Sequence, residues 1–406
     1  TQSRSSAASD VYKRQAPGQP VPALDLALGL ALGQTVSDLS MAAQPIVHLI
    51  HSGGFYGAER MLLDHCLGTP GQHRVVFINA PDALLQRFAE AGVASHNCHC
   101  LQELLAHLRQ QPGLLNAHNF KAQVFAWVCA RRLRLPLVMT QHGFTPRSLK
   151  QKFYTWLSLR LCRSRRVRRV ACVAQSIALL HLEAGVAEGK LRVIPNGLPE
   201  PALELPASLD GPPLREPEVR RDEMEPLVGF VGRLSAEKGP DLFLDALIDL
   251  CQQRPALKAV LLGDGEQNQA LRERINEAGL ATRILLPGYQ NDMQPWLKRL
   301  NVLVLSSRTE GTPMILLEAM QAGTPVVAFA VGGIPDVLQH RHNGLLAKPL
   351  DSAGLGRCIG QLLDDPVLAG ELAKAAQVTQ RKHYHLPTLA RRWDELYRVA
   401  RESSRV

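Results

Sequence analysis

Two glutamates, Glu310 and Glu318, carry the clearest chemical signal in this sequence because of what stands on either side of them. An apolar run at 302–305 precedes the pair and a second one at 326–329 follows it, which predicts strand, loop, helix and strand in that order. Glu310 is then expected on the loop at a strand's carboxyl end, and Glu318 on the helix. Both carboxylates would face one crevice at a helix N-terminus, where α/β proteins bind phosphates.

The predicted helix between these strands has recognisable start and stop signals. Thr312 is a plausible N-cap, Pro313 suits the first helical position, and Gly323 can end the helix. These signals put Glu318 roughly a turn and a half into the helix, with its side chain able to reach the crevice.

Two cations, Arg233 and Lys238, stand in a second loop that follows the apolar run at 228–231. Fixed cations beside helix N-termini can neutralise a departing diphosphate without reorganising. The alternative is that both form surface ion pairs with Glu237 or Asp241. The glycines that bound the loop and the glutamates downstream favour the functional interpretation.

These segments resemble the retaining, nucleotide-sugar-dependent glycosyltransferases of the group 1 type, which have the GT-B fold. The resemblance runs from about Val47 to the end of the chain and is most specific between Gly229 and Gly344. It implies an α/β fold in which two Rossmann-like domains face each other across a deep cleft. The motifs that carry it are Gly232-Arg233, Glu237-Lys238-Gly239, Leu262-Gly263-Asp264-Gly265, Pro287-Gly288, the two glutamates, and Gly332-Gly333-Ile334-Pro335.

The resemblance implies a role for each matching residue of the donor site. Arg233 and Lys238 would bind the donor diphosphate, Glu318 the ribose hydroxyls, and Glu310 hydroxyls of the transferred sugar. Backbone N–H groups would approach the sugar and phosphate. The remaining donor-binding residues implied are Gly232, Gly311, Thr312, Pro313 and Met314.

The loop after the first predicted strand contains two glycines and an acid, Gly53, Gly54 and Glu59. Glycines here let the backbone approach a phosphate or sugar closely. In the family this loop lies at the cleft floor, so Gly53 and Gly54 are candidates for donor binding and Glu59 for the acceptor side. A plain tight turn is the alternative.

Two histidines end strand-like runs in the first half of the chain. His142 follows the predicted strand at 137–140 and matches the family histidine that reaches the donor sugar; we expect its neutral form. A satisfied structural histidine is the alternative. His118 has a weaker case and is assigned to the acceptor side.

Composition suggests two domains joined by a linker. Residues 199–226 contain seven prolines, a composition that neither helix nor strand tolerates. The predicted units are an acceptor domain at 41–198, a nucleotide-sugar domain at 227–387, and a C-terminal helix at 388–406 that crosses back to the first domain. Residues 1–40 are predicted to be a non-native or disordered leader before Met41, because positions 10–15 match the translation of a sequencing adapter.

The formal net charge of +9 is concentrated in the first half of the chain. Residues 41–220 hold 21 Lys+Arg against 12 Asp+Glu, whereas residues 221–406 hold 22 of each. Twelve cations from Arg131 to Arg169, interleaved with aromatic residues, could lie on an anionic membrane surface. A solvated basic face is the alternative. No nucleic-acid-binding motif accompanies the charge.

Metal, cofactor and disulfide signals are weak. His96, Cys98, His99 and Cys100 lack the paired spacing of a zinc site, and no Asp-x-Asp occurs to hold a metal–diphosphate complex. We therefore predict no cofactor and no metal. The eight cysteines are scattered, which favours a reducing compartment without disulfides.

Together with these features, the family resemblance implies a metal-independent, retaining hexosyltransferase. It would move a sugar from a nucleoside diphosphate, by front-side displacement, to a hydroxyl of an anionic or lipid-linked glycan of the lipopolysaccharide or exopolysaccharide type. The expected location is cytoplasmic and peripheral on the inner face of the membrane. A nucleotide-sugar epimerase or hydrolase of the same architecture, and an inactive sugar-binding scaffold, remain alternatives. Leu198-Pro199 after Pro195-Asn196-Gly197 departs from the family pattern at the hinge.

Overall fold

The computed structural model describes residues 44–143, 149–200 and 225–402. Two all-parallel sheets, each flanked by helices, form two Rossmann-like halves, which confirms the predicted fold class. The predicted leader at 1–40 and positions 201–224 of the predicted linker lie outside the described residues.

The first sheet has seven strands in the order β3-β2-β1-β4-β5-β6-β7. Its strands are β1 (Ile46–His51), β2 (His73–Ile78), β3 (Ala94–Cys98), β4 (Leu114–Ala117), β5 (Leu137–Gln141), β6 (Val167–Cys172) and β7 (Leu191–Val193). The connecting helices are α1 (Gly57–Gly68), α2 (Asp82–Glu90), α3 (Leu101–Gln110), α4 (Phe120–Leu133), α5 (Leu149–Arg163) and α6 (Gln175–Glu183), followed by a 3₁₀ turn at Glu188–Lys190.

The second sheet has six strands in the order β10-β9-β8-β11-β12-β13. They are β8 (Leu227–Val231), β9 (Lys258–Leu262), β10 (Ile284–Gly288), β11 (Val302–Leu305), β12 (Val326–Phe329) and β13 (Leu345–Ala347). The helices are α7 (Pro240–Gln253), α8 (Asn268–Glu277), α9 (Gln294–Arg299), α10 (Met314–Ala322), α11 (Ile334–Val337), α12 (Ser352–Asp364), α13 (Pro366–His383) and α14 (Leu386–Glu402).

In both sheets the order of the strands reverses next to the strand that comes first in the sequence, β1 or β8. Strand β1 pairs with β2 on one side and β4 on the other, and β8 pairs with β9 and β11. In open α/β sheets a crevice forms at this switch point, beyond the carboxyl ends of the strands. The loops after β1, β8 and β11 therefore lie where a ligand is expected to bind.

The strand pattern predicted from sequence matches the buried strands best. The central strand β11 is buried at every position, as its unbroken apolar run predicts. Edge strand β3 was not predicted, because it reads Ala-Ser-His-Asn-Cys and alternates between exposed and partly buried positions. Strand β13 was also missed, since three residues carry too little periodicity.

The C-terminal helix α14 packs against the first sheet rather than the second. Its apolar stripe includes Trp393 and Tyr397, which are buried against Ile46, Val138 and Ala171 of the first sheet. The Arg401 guanidinium also donates to the carbonyl oxygen of Gln44 at 2.6 Å. These contacts attach the end of the chain to the first Rossmann-like half.

Candidate active site

A cleft of about 1000 Å³ lies between the two sheets, at the carboxyl ends of their central strands. The first half contributes Phe55, Tyr56, Gly57, Arg60 and Arg87, and the second half contributes most of the remaining surface. Seven residues predicted for the donor site line this cleft: Gly232, Arg233, Lys238, Glu310, Pro313, Met314 and Glu318.

The loop after β8 is shaped by backbone packing. Gly239 adopts a left-handed conformation with φ +65 immediately before α7, and a Cβ added there would lie 2.1 Å from the carbonyl oxygen of Ser306. Only glycine lets the two loops approach this closely. The approach brings Lys238 beside the loop that carries Glu310.

Lys238 and Glu310 form an ion pair in the cleft. The Lys238 Nζ lies 2.7 Å from Glu310 Oε1, and the Ser307 hydroxyl donates to the same oxygen at 2.7 Å. The Glu310 side chain is only 8% exposed, so the pair is shielded on the carboxylate side. The alternative partner Asp241 is instead held by Arg308, at 2.6 and 2.9 Å.

Arg233 is exposed and lies over the ring of Tyr56, with 5.5 Å between the guanidinium carbon and the ring centroid. This contact joins the second half of the molecule to the loop after β1. Among the described residues no carboxylate pairs with Arg233, so its charge is available to an anionic ligand in the cleft.

Helix α10 begins one residue later than predicted. Pro313 is at the N-cap with ψ 129, and Met314 is the first helical residue. Thr312 does not cap the helix, because its hydroxyl donates to the carbonyl oxygen of Val173 in the first half. Gly323 ends the helix in a left-handed conformation, as predicted.

Glu318 faces the cleft from α10 and is half-buried. Burial raises the pKa of its carboxyl group, an effect that Arg60 opposes and the Asp64 carboxylate reinforces. Arg60 and Asp64 are themselves paired at 3.2 Å. The Glu318 carboxylate is therefore poorly solvated at this position in the cleft.

The loop that carries Glu310 also touches the first half of the molecule. A Cβ on Gly311 would lie 2.4 Å from the carbonyl oxygen of His142, and one on Gly333 would lie 2.5 Å from the Cβ of Ala174. The Asn196 side chain donates to the carbonyl oxygen of Thr312 at 2.7 Å. Gly311 and Thr312 thus lie beside the cleft, at the contact between the two halves.

His142 and His118 lie behind this contact and do not line the described cleft. His142 Nε2 and His118 Nδ1 are 3.2 Å apart. Burial lowers the pKa of His142 to about 4, so its ring is neutral at pH 7. Burial also lowers the pKa of His118, followed by the proximity of His142 and His65.

The candidates Gly53 and Gly54 lie in the loop after β1, and the candidate Glu59 lies in the first turn of α1. Gly53 and Gly54 do not line the cleft, and Gly54 is engaged in a local turn with the Ser52 hydroxyl. Glu59, which was assigned to the acceptor side, is buried. Its carboxylate accepts the Tyr56 N–H at 3.0 Å and so caps α1.

Several cleft residues were not anticipated from the sequence. Tyr56 ends the loop that was singled out for its glycines, and Arg60 lies in the first turn of α1 directly after it. Arg87 lies over the Phe55 ring at 3.8 Å and comes from α2, whose sequence carries no functional motif. Arg87 is recognised as a cleft residue only from the position of α2 beside the loop after β1.

The histidine and cysteine cluster near β3 forms no ligand group. His96 stacks on His107 with 4.2 Å between ring centroids, and Cys98 is buried. In the described part of the chain, the one group of three possible metal ligands is His48, Cys66 and His73. All eight cysteines are free.

The chain resembles known proteins in both sequence and structure. The family models "Glycosyl transferases group 1" and "Glycosyltransferase Family 4" match residues 215–379 and 55–200. A 2-deoxystreptamine glucosyltransferase of Streptomyces kanamyceticus is 31% identical over 281 residues, which are 66% of this chain and 72% of that protein. A UDP-Gal:alpha-D-GlcNAc-diphosphoundecaprenol alpha-1,3-galactosyltransferase of Escherichia coli is 27% identical over 269 residues, covering 64% and 68%.

The same architecture occurs in a crystal structure of Anabaena Alr3699/HepE in complex with UDP-glucose. The two structures superpose with a TM-score of 0.76 at 24% identity, over 86% of this chain and 98% of that chain. This similarity supports the fold. Separately, no described helix has the length and apolarity to cross a membrane.

Proposed function

The chain belongs to the group 1 glycosyltransferases. We therefore propose that it moves one sugar from a nucleoside diphosphate sugar to a hydroxyl of a glycan or glycolipid, with retention of anomeric configuration. The observation that carries the proposal is the convergence of two cations and two carboxylates on one cleft. They are Arg233, Lys238, Glu310 and Glu318.

The diphosphate of the donor would bind between Arg233 and Lys238, in front of α10. Helix α10 has nine residues, and its N-terminus presents unpaired N–H groups and a partial positive charge. Bound diphosphate would compete with Glu310 for Lys238, because the two now form an ion pair. Donor binding would thereby release Glu310 to accept hydrogen bonds from sugar hydroxyls.

The ribose of the donor would bind Glu318. An ionised carboxylate accepts hydrogen bonds from two neighbouring hydroxyls. Because burial raises the pKa of Glu318, the hydroxyls of a bound ribose would replace the water that burial removes from the carboxylate. The half-buried carboxylate thus lowers the stability of the fold but gains favourable hydrogen bonds when the donor binds.

The chemical step would be a front-side displacement. As the bond from the sugar to phosphate breaks, negative charge builds on the diphosphate, where Arg233, Lys238 and the α10 N-terminus stabilise it. The departing phosphate would take the proton of the acceptor hydroxyl. Two fixed cations supply the charge that a divalent metal supplies elsewhere, so we expect transfer to persist in a metal chelator.

The acceptor would bind the first half of the molecule, whose excess positive charge suits an anionic or lipid-linked glycan. The E. coli relative is named for a diphosphoundecaprenol acceptor, which matches this chemistry. We expect the enzyme to work in the cytoplasm, peripherally on the inner face of the membrane.

Helix α5 provides a surface suited to that location. Leu149, Phe153 and Trp156 are exposed and lie along one side of the helix, where Phe153 and Trp156 stack at 5.8 Å and Arg160 lies 6.0 Å from the Trp156 ring. Tyr154 faces inward, against Phe120. Exposed aromatics beside cations bind the headgroup region of anionic membranes.

The first experiment is a thermal-shift screen of UDP-, GDP-, ADP- and dTDP-sugars against wild type, Glu318→Ala and Glu277→Ala. Glu277 is an exposed glutamate on α8, outside the cleft, and serves as a matched control. A donor that raises the melting temperature of wild type and Glu277→Ala, but not of Glu318→Ala, identifies the nucleotide and supports the site. Shifts that are equal in all three would place the donor elsewhere.

Product analysis then tests the reaction. With the identified donor and a set of polyprenyl-diphosphate glycans, retention predicts that NMR shows the anomeric configuration of the donor in the product. An inverted product contradicts the front-side mechanism. Nucleotide release with an epimerised or free sugar, and no dependence on acceptor, would instead indicate an epimerase or hydrolase.

A further inference from the structure

Four histidines, His142, His118, His48 and His73, form a continuous hydrogen-bonded chain through the first sheet, and the proposed function assigns a role to none of them. His142 Nε2 lies 3.2 Å from His118 Nδ1, and His118 Nε2 lies 2.9 Å from His48 Nδ1. His48 Nε2 lies 2.9 Å from His73 Nδ1. The four residues come from neighbouring strands or the loops that follow them, so the chain crosses β2, β1, β4 and the end of β5.

The two central histidines of this hydrogen-bonded chain are buried, with His48 0% and His118 4% exposed, whereas His142 and His73 at its ends are half-buried. Tyr397 of α14 covers His48, with 6.5 Å between the two ring centroids. The pKa of each of the four histidines is lowered, chiefly by burial. Neutral imidazole has one N–H donor and one unprotonated acceptor nitrogen, so each ring must use one of each.

The contacts of His73, at one end of the four histidines, determine which ring nitrogen donates and which accepts in every hydrogen bond between them. His73 Nε2 lies 3.0 Å from Thr69 Oγ1 and 3.2 Å from the carbonyl oxygen of Pro70. A carbonyl only accepts, and the Thr69 hydroxyl already donates to the carbonyl oxygen of His65 at 2.6 Å. His73 Nε2 must therefore carry the proton, and His73 Nδ1 must accept.

The remaining protons follow from this one. Since His73 Nδ1 accepts, His48 Nε2 carries a proton and His48 Nδ1 accepts from His118. By the same reasoning His118 Nδ1 accepts from His142 Nε2. Reversing any ring would place two N–H groups or two lone pairs against each other, leaving buried groups unpaired. The loss of one buried hydrogen bond disfavours the reversed tautomer by at least about fivefold.

We propose that Thr69 and Pro70, acting through His73, His48 and His118, fix the tautomer of His142 so that its Nδ1 is an unprotonated hydrogen-bond acceptor. Within residues 44–143, 149–200 and 225–402, no side chain or backbone group pairs with this nitrogen. The backbone of His142 contacts the Glu310 loop at Gly311. His118, His48 and His73 are thus positioning residues for His142, which lies at the contact between the two halves.

The proposed tautomer has a consequence for donor specificity, which rests on the proposed function. An unprotonated nitrogen accepts a hydrogen bond from a sugar hydroxyl but repels a carboxylate or carbonyl oxygen, which can only accept. A donor sugar with a hydroxyl beside His142 Nδ1 should therefore be used at least tenfold better, in kcat/KM, than an analogue with a carbonyl oxygen at that position, because a site built for a hydroxyl rejects analogues that lack it.

The tautomer can be measured without any substrate. In protein labelled with ¹⁵N-histidine, long-range ¹H–¹⁵N spectra separate protonated from unprotonated ring nitrogens, and His142→Gln identifies the signals of His142. We expect wild-type His142 as the Nε2–H tautomer, in at least about fivefold excess. A wild-type His142 with the proton on Nδ1, or on both nitrogens, would overturn the proposal.

Paired variants of His48 test whether the distant residues fix this state. His48→Gln keeps one acceptor and one donor, so His142 should retain the Nε2–H tautomer. His48→Leu removes both groups, and the excess of the Nε2–H tautomer of His142 should fall to the smaller excess of an unconstrained neutral histidine. If His48→Leu does not fold, His73→Phe and His73→Gln repeat the comparison at the partly exposed end of the chain. A wild-type tautomer ratio in the apolar variant refutes the mechanism.

Activity and metal controls complete the test. Transfer by the apolar variant should fall relative to the glutamine variant, with the change in kcat rather than in donor KM. The tautomer result stands even if the protein transfers no sugar, so the two proposals fail separately.

A metal bound by His48, Cys66 and His73, whose ligand atoms lie within 4.8 Å of one another, would force the opposite tautomer. A His142 Nδ1–H that a chelator converts to Nε2–H would therefore overturn the proposal.

Discussion

Replacement of Lys238 by methionine should affect stability and catalysis through different interactions. In the ligand-free protein Lys238 Nζ is 2.7 Å from Glu310 Oε1, and the Glu310 side chain is 8% exposed. The variant leaves this carboxylate with the Ser307 hydroxyl as its remaining hydrogen-bond donor within the described residues. Loss of a hydrogen bond between charged groups predicts a decrease of about 2 kcal/mol in the free energy of unfolding.

The double variant Lys238→Met/Glu310→Gln separates the two effects. It removes both charges, and the Ser307 hydroxyl can still donate to the amide oxygen, so its free energy of unfolding should return to within about 1 kcal/mol of wild type. Transfer should not recover. Removal of a group that stabilises the departing charge predicts a loss of about 10²–10³ in kcat in both variants.

Urea unfolding and initial rates of nucleotide release measure the two quantities. The control is Arg254→Met, which breaks the pair between Arg254 and Asp364 at 2.8 and 2.9 Å, away from the cleft. It should cost at most about 1 kcal/mol and leave kcat unchanged. Recovery of kcat in the double variant, or a loss below tenfold in Lys238→Met, would show that Lys238 serves the fold and not the reaction.

Three further predictions follow from single contacts. Glu318→Gln should raise the melting temperature of the ligand-free protein at pH 7, because a carboxyl whose folded-state pKa is raised by burial destabilises the fold when ionised. For the same reason wild-type donor affinity, measured by calorimetry, should fall as pH drops through that raised pKa, and Glu318→Gln should lack this dependence. Gly311→Ala should lower kcat at least tenfold, since its Cβ would lie 2.4 Å from the carbonyl oxygen of His142; unchanged kinetics would show that the two halves need not touch. Phe153→Ser/Trp156→Ser should reduce sedimentation with anionic liposomes severalfold without changing transfer to a soluble acceptor, and equal sedimentation would exclude α5 as the membrane surface.

The histidine chain and the cleft illustrate different kinds of information in the sequence. The sequence identified Arg233, Lys238, Glu310 and Glu318, because each stands in a short motif next to a buried strand, and parallel strands bring such loops to one edge. Local pattern was enough for this. The local pattern also predicted the two-sheet architecture, since apolar runs that alternate with helices are compatible with few other arrangements.

Local pattern failed where one residue had two competing roles. Glu59 was assigned to the acceptor side, but its spacing of three from Tyr56 lets it cap α1. Thr312 was expected to cap α10 and instead bonds Val173, 139 positions away. In both cases the side chain's partner depends on a neighbour that the motif alone does not specify.

The sequence by itself determined the buried strands, the order of motifs and the four charged residues Arg233, Lys238, Glu310 and Glu318 that line the cleft, because burial periodicity and turn chemistry are local properties. Tertiary structure decided which of these residues pair. The Lys238–Glu310 pair joins positions 72 apart, and the His48–His118 contact joins positions 70 apart. Such contacts arise from strand order and from the docking of two halves, and both are set by packing over the whole sheet rather than by neighbours along the chain.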